Sequence, residues 1–151
     1  SIDAMRLLQE NRYLIFIITN QSGIARGLIS MKEYKALEKK IENYLYNLSI
    51  KIAKTYFCPH HPNAEIKAYK KTCTCRKPEP GMILKAALEY DLDIKNSILV
   101  GDKISDIECS ARAGLKNSYL IRSKYNQNSN IIKFNDLKSC IDHHLNNYVQ
   151  W

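Results

Sequence analysis

Two hydrophobic periods alternate along this chain. Apolar positions at Ile2, Met5 and Leu8 recur at helical spacing and predict a helix over 2–11, while the run over 13–19 has the length and β-branched content of a buried strand. A long helix is predicted over 31–47, its apolar stripe formed by Tyr34, Leu37, Ile41, Tyr44, Leu45 and Leu48. Ser30 and Glu33 are spaced as a capping box at its start, and Ile29 is placed to staple onto Tyr34. A strand follows over 52–57, then an irregular loop over 58–80, and Pro80-Gly81 opens a helix that reaches about Tyr90. The apolar run 97–100 reads as a strand ending in Gly101-Asp102. A helix from Ile104 or Asp106 to Ala113, with a second candidate box from Ser105 to Glu108, stops at Gly114. A short strand over 119–121, a polar surface loop over 122–135 and a terminal helix over 137–147 complete the pattern. Strands that alternate with helices predict one α/β domain over 1–151 with a mainly parallel sheet, whose ligands bind beyond the carboxyl ends of the strands.

Composition narrows the class. The chain has 151 residues, 45% of them apolar and 25% charged, which suits a globular domain with its own core. Its longest apolar run, Leu14-Ile15-Phe16-Ile17-Ile18, falls far short of the roughly 20 residues that span a bilayer, and no signal-peptide pattern opens the sequence. Five cysteines are an odd count, and three of them fall within residues 58 to 75 together with His60 and His61, which favours a metal site over a disulfide framework and a cytoplasmic setting. The net charge of +8 is concentrated over 26–79, where twelve Lys or Arg face five Glu and no Asp. Glu33, Glu38 and Glu42 are interleaved with the lysines of 32–40, so that run reads as a solvated helix face.

Four loops carry candidate chemistry. The stretch Thr19-Asn20-Gln21-Ser22-Gly23-Ile24-Ala25-Arg26-Gly27 places a hydroxyl at the end of a buried strand, followed by amides, a glycine turn and a nearby cation. Such a loop offers hydroxyl and N–H donors to phosphate oxygens, although Asn20, Gly23 and Gly27 also suffice to shape a turn. The second loop is Cys58-Pro59-His60-His61-Pro62, and Cys73-Thr74-Cys75 answers it later in the same irregular segment. Three thiolates and one imidazole match the tetrahedral preference of Zn²⁺, with His60 or His61 as the nitrogen ligand, and a closed set of four is the structural kind. Cys109 and Cys140 lie on predicted helices and read as buried core. Arg76 and Lys77 directly follow Cys73-Thr74-Cys75, so a zinc knot would fix the backbone that presents them. Arg76 offers a planar fork for phosphate or sugar oxygens, and Lys77 a point charge for a phosphoryl group. In the last loop, Val100-Gly101-Asp102-Lys103-Ile104-Ser105-Asp106, a carboxylate at a strand end and another four residues on suit Mg²⁺, although Asp106 also fits a helix cap.

In this order the loops resemble the haloacid dehalogenase-like phosphatases: a threonine motif at Thr19, a lysine motif at Lys77 and an acidic motif at Gly101-Asp102 with Asp106. More narrowly, "TNQSGIARG", "CPHHP", "CTCRKPEPGM" and "VGDKISD" look like the zinc-containing D-glycero-D-manno-heptose 1,7-bisphosphate 7-phosphatase family, which is close to the histidinol phosphatases. That resemblance covers the chain from Ile2 to about Ile121 and implies a Rossmann-like three-layer domain with a zinc loop over 58–80 in place of a large cap. It implies Mg²⁺-dependent removal of the 7-phosphate of a heptose bisphosphate, a precursor for lipopolysaccharide, by a cytoplasmic monomer. Thr19 and Lys77 would hold the phosphoryl oxygens; Asn20, Gln21, Ser22, Arg76 and Lys103 would contact substrate. Asp102 would bind Mg²⁺ with Asp106 behind it, and Cys58, His60, Cys73 and Cys75 would bind Zn²⁺.

One motif of that family is missing. Its members open on a strand that ends in Asp-x-Asp, the nucleophile and the acid-base, and the only such triplet here, Asp91-Leu92-Asp93, follows a helix. The expectation is a domain incomplete at its N-terminus and inactive as it stands, lacking a strand from the middle of the sheet, which would leave unpaired edges. A non-catalytic zinc-bearing interaction fragment is the alternative of another class, and histidinol phosphate the alternative substrate. Nucleic-acid binding is not expected, because the tyrosines are not interleaved with lysines on one loop or sheet face.

Overall fold

A computed structural model describes residues 1–148 of the chain. Its elements run α1 (Ile2–Glu10), β1 (Ile15–Asn20), the single turn α2 (Ser22–Ala25), α3 (Met31–Asn47), β2 (Ile52–Cys58), α4 (Gly81–Tyr90), β3 (Ile98–Gly101), α5 (Ile104–Ala113), β4 (Asn117–Ile121), β5 (Lys133–Phe134) and α6 (Leu137–Tyr148). Short 3₁₀ turns occupy Lys67–Tyr69 and Ile94–Asn96. Every strand pair is parallel: β1 with β2, β3 with β4, and β4 with β5. The mixed α/β architecture and parallel pairing follow the hydrophobic pattern. The sheet, however, is in two parts, β1-β2 and β3-β4-β5.

Alternation along β1 divides the layers, because successive side chains of a strand point to opposite faces. Ile15 joins Ala4, Leu8, Ile141 and Leu145 in a cluster that seats α1 and α6 against β1 and β3. Phe16 and Ile18 turn the other way, onto Tyr56, Met82 and Ala86, and so seat α4. Phe16 meets Tyr90 edge to face with ring centroids 4.9 Å apart. Ile17 and Thr19 line a groove beneath α3.

Between β1 and β3 lies an apolar cleft of about 650 Å³, lined by Ile15, Ile17, Ile98, Leu99 and Val100, with Lys77 also on its wall. No hydrogen-bonded ladder joins the two strands among the described residues. Each therefore presents backbone groups and apolar side chains toward the gap.

Helix ends explain most boundaries. Ser30 accepts from the Glu33 amide at 3.2 Å and the Glu33 carboxylate accepts from the Ser30 amide at 2.8 Å, the reciprocal box expected at α3. At α5 the expectation of a box from Ser105 to Glu108 is corrected: the cap is Lys103 and the third helical residue is Asp106. Asp106 folds back because it has a nearer claim on the amides of the preceding turn. The stripe on α3 is also only half covered; Tyr34 and Leu45 are buried, but Leu37, Ile41 and Tyr44 are 48%, 44% and 62% exposed. The polar stretch after β4 is more than surface loop, since it contains β5 and a buried Asn126.

Candidate functional site

Three strand ends and the 58–80 loop converge at one edge of the fold. Cys58 ends β2 and is fully buried under α4, so the loop is rooted in the core at its first cysteine. Its other end rests on α4, where the Gly81 amide donates to the Thr74 carbonyl at 2.9 Å. A side chain at Gly81 would collide with that carbonyl and the backbone of Cys75, so the loop can lie this close only over glycine. The sulfurs of Cys58, Cys73 and Cys75 thereby come within 2.9 to 3.5 Å of one another. His60 Nδ1 completes the set, 3.7 Å from the Cys58 sulfur and 3.4 Å from that of Cys75.

These four ligand atoms all lie within 4.8 Å of one another, the enclosure a single tetrahedral ion requires. The structure chooses between the histidines: the ring nitrogen Nδ1 of His61 instead accepts from the Asn63 amide at 3.1 Å. Burial pushes the Cys58 thiol well up and raises Cys75, whose neighbour Cys73 adds to the rise. At Cys73 burial also pushes upward, but hydrogen bonds from Cys75 and Cys58 outweigh it and the net shift is down. Burial, with Lys71 nearby, lowers the His60 pKa. Three packed sulfurs cannot all ionise without a compensating cation, so this cluster can hold a metal ion and would gain its full charge only on binding one. Cys109 and Cys140 are fully buried elsewhere, as their helical positions predicted.

Just past Cys75, the Arg76 guanidinium donates to the His60 carbonyl at 3.1 Å, tying the arginine to the loop that presents it. Lys77 is held more tightly. Its amide donates to Asn20 Oδ1 and its carbonyl accepts from Asn20 Nδ2, both at 3.0 Å, so one amide side chain at the end of β1 grips the backbone of Lys77 on both sides. The Lys77 ammonium donates to the Ile18 carbonyl at 3.1 Å and sits 2.6 Å from Asp106 Oδ1. The latter is a close ion contact between side chains only 13% and 4% exposed. An ammonium has three protons, and these two partners leave one for an incoming oxygen.

The rest of Asp106 is equally committed. Its Oδ2 accepts from the amides of Asp102 at 3.1 Å and Lys103 at 2.9 Å. A side chain at Gly101 would collide with the Asp106 carboxylate, which explains why glycine precedes Asp102. Asp106 thus links the Lys77 ammonium to the backbone that carries Asp102, whose own side chain is exposed at the end of β3. On the β1 side, Gln21 Nε2 donates to Thr19 Oγ1 at 3.0 Å, which leaves the threonine O–H free to donate outward. Ser22 begins the α2 turn immediately after. Lys103 extends its ammonium 4.4 Å from the centroid of the Tyr125 ring. Lys77 and Asp106 therefore meet in one site with Asp102 at its rim, while Thr19, at the end of β1, faces the groove beneath α3. The sequence did not reveal the Asn20 grip on Lys77, whose only signal was an amide at the end of a buried strand.

Comparison with known proteins gives this arrangement its relatives. The sequence matches the family described as polynucleotide kinase 3 phosphatase over residues 2–144. It is 43% identical over 122 residues to D-glycero-alpha-D-manno-heptose-1,7-bisphosphate 7-phosphatase of Photorhabdus laumondii, covering 81% of this chain and 67% of that one. The fold matches the crystal structure of D,D-heptose 1,7-bisphosphate phosphatase from B. bronchiseptica, complexed with magnesium and phosphate, with a TM-score of 0.82 at 28% identity over 97% of this chain and 82% of the other. A HAD-like phosphatase fold from Mesorhizobium loti superposes with a TM-score of 0.80 over 94% of this chain and 72% of that one, at 24% identity. The chain spans about two thirds of the length of the curated relatives it matches. Its four loops, its parallel strands and these matches along nearly all of its length establish that the chain belongs to the haloacid dehalogenase-like D-glycero-D-manno-heptose 1,7-bisphosphate 7-phosphatase family.

Proposed function

We propose that this chain supplies the phosphate-holding and metal-holding parts of a Mg²⁺-dependent phosphatase that removes the 7-phosphate of heptose 1,7-bisphosphate, acting as a cytoplasmic monomer. The observation that carries the reading is the position of the Lys77 ammonium, fixed between the Ile18 carbonyl of β1 and Asp106 beyond β3. It spans the mouth of the β1/β3 cleft with a proton to spare. Thr19 and Lys77 bind the phosphoryl oxygens, and their aligned dipoles and charge stabilise the negative charge that builds on phosphorus oxygens during transfer. Asn20 contributes by holding Lys77, while Gln21 orients Thr19 and, with Ser22, edges the substrate site.

The residues fit a magnesium ion: the Asp102 carboxylate is exposed at a strand end and is a hard oxygen ligand of the kind Mg²⁺ takes. When bound, Mg²⁺ neutralises phosphoryl charge and orients the group for displacement. The thiolate and imidazole set fits Zn²⁺ in a structural role, because all four positions of a tetrahedron are taken by protein atoms. Zinc there would stiffen the segment from which Arg76 reads the sugar and its second phosphate, and Lys103 is a further substrate contact. No strand among the described residues ends in the Asp-x-Asp motif that would carry the nucleophile; that motif belongs on a strand seated between β1 and β3, where the apolar cleft has room for one.

Binding of inorganic phosphate in the presence of Mg²⁺ tests the reading without requiring turnover. Thr19→Ala and Lys77→Ala should each weaken it about tenfold or more, the loss expected for hydrogen bonds to a charged group. Unchanged phosphate affinity in both variants would remove the basis for the assignment.

A further inference from the structure

The loop after β4 makes an unexpected connection. Asn126 is 3% exposed although its neighbours Tyr125, Gln127 and Asn128 are exposed. Its Oδ1 accepts from the Ser123 amide at 3.1 Å and its Nδ2 donates to the Ile121 carbonyl at 2.7 Å. Those two bonds suffice to close the loop on itself. A third reaches 24 residues back along the chain: Nδ2 also donates to the Asp102 carbonyl at 2.9 Å. Ser123 Oγ donates to that same carbonyl at 2.7 Å, so both of its lone pairs are occupied by side chains of one loop.

The geometry points to Asn126, with Ser123, as a positioning pair for the Asp102 carboxylate. The peptide preceding Asp102 is held through its N–H by Asp106 Oδ2, and the peptide following it is held through its carbonyl by Asn126 and Ser123 and through the Lys103 N–H by Asp106. A peptide unit is planar, so fixing the planes on both sides of a Cα fixes the direction of its Cβ. Asp102 itself is exposed. Its aim therefore depends on these backbone clamps: Asp106 holds an N–H on each side, and the Ser123–Asn126 loop holds the carbonyl of the peptide that follows. The same loop collects the Lys103 ammonium over Tyr125, so it holds both members of the Asp102-Lys103 pair. Partners that orient a metal-binding carboxylate are worth about ten- to a hundredfold in metal affinity.

This inference rests on Asp102 as the metal carboxylate, and the experiment separates the two. Mn²⁺ serves as the probe, a hard cation whose binding broadens nearby amide resonances in proportion to occupancy, and the dissociation constant is taken from the titration. Asn126→Ala should raise it about tenfold or more, and Ser123→Ala, which leaves the Asn126 bond, by a smaller factor of about three. Lys124→Ala, an exposed neighbour on the same loop, should leave it within about twofold. Amide spectra and thermal melts of each variant report folding, and Ser123→Ala retains the test if Asn126→Ala unfolds. Unchanged Mn²⁺ affinity in folded Asn126→Ala and Ser123→Ala, alongside loss in Asp102→Ala, overturns the positioning role alone. Unchanged affinity in Asp102→Ala as well overturns the metal assignment and the positioning role with it.

Discussion

Breaking the Lys77–Asp106 pair should cost far more than an ordinary surface ion pair. The two side chains are 13% and 4% exposed with charged atoms 2.6 Å apart, so removing one leaves the other desolvated and unpaired. A buried charge orphaned this way costs about 3 to 5 kcal/mol, against about 0 to 1 kcal/mol for an exposed pair. For a domain of this size each kcal/mol lowers Tm by about 2 to 4 °C, so Asp106→Ala and Lys77→Met should each melt about 6 to 20 °C below the parent. Asp106→Ala also loses the two amide bonds to Asp102 and Lys103, which is a cost independent of Lys77. A double-mutant cycle removes that complication: the amide bonds are lost in both Asp106 variants and cancel. Urea unfolding of the four proteins should give a coupling energy of about 2 kcal/mol or more, with the double variant little worse than Asp106→Ala. Additivity within about 0.5 kcal/mol would show that the ammonium is solvated rather than clamped, and the phosphate site built on it would lose its support.

Three further outcomes follow. Protein purified without chelator should carry one zinc per chain, and because binding displaces thiol protons its affinity should fall as pH drops; elemental analysis at two pH values, finding none or no pH dependence, would contradict the closed Cys58, His60, Cys73 and Cys75 set. His144, 3% exposed between the Tyr13 and Tyr119 hydroxyls at 2.9 and 3.0 Å, has its pKa lowered from 6.5, first by burial and then by His143. The folded chain thus binds its proton more weakly than the unfolded chain, so this contribution is present above pH 6.5 and lost as pH falls below it; thermal melts at pH 7.5 and 5.5 should show a larger drop for the parent than for His144→Gln, and equal drops would refute the linkage. In a phosphatase containing the nucleophile strand, Arg76→Ala should lower kcat/KM for heptose 1,7-bisphosphate about ten- to a hundredfold and spare a small phosphate ester, whereas Lys77→Ala should impair both; equal losses on Arg76→Ala would deny it the sugar.

What the sequence revealed was local. The box at Ser30 and Glu33, the glycine stop at Gly114 and the close Cys58/His60 and Cys73/Cys75 pairs are each decided within a few residues, and each appears as expected. Partners chosen across the fold were not legible. His60 rather than His61 joins the cysteines because β2 ends by delivering Cys58 to the core, which fixes the direction of the next two residues. Asn126 reads as one more polar loop residue until β4 places it beside β3, and a two-residue strand such as β5 has no period to detect. The period of α3 identified its apolar face correctly, but says nothing of what covers Leu37, Ile41 and Tyr44. The cleft is different again. No local period marks the unpaired edges of β1 and β3, and the space with apolar walls between them is seen only once the two ladders are assembled.

Release of inorganic phosphate from heptose 1,7-bisphosphate, measured with and without Mg²⁺, tests the whole account most directly. The 151-residue chain should show background turnover, and the same chain preceded by a strand ending in Asp-x-Asp should show Mg²⁺-dependent turnover that Asp102→Ala and Lys77→Ala abolish. Robust turnover by the 151 residues alone, or a preference of the extended protein for histidinol phosphate, would contradict it.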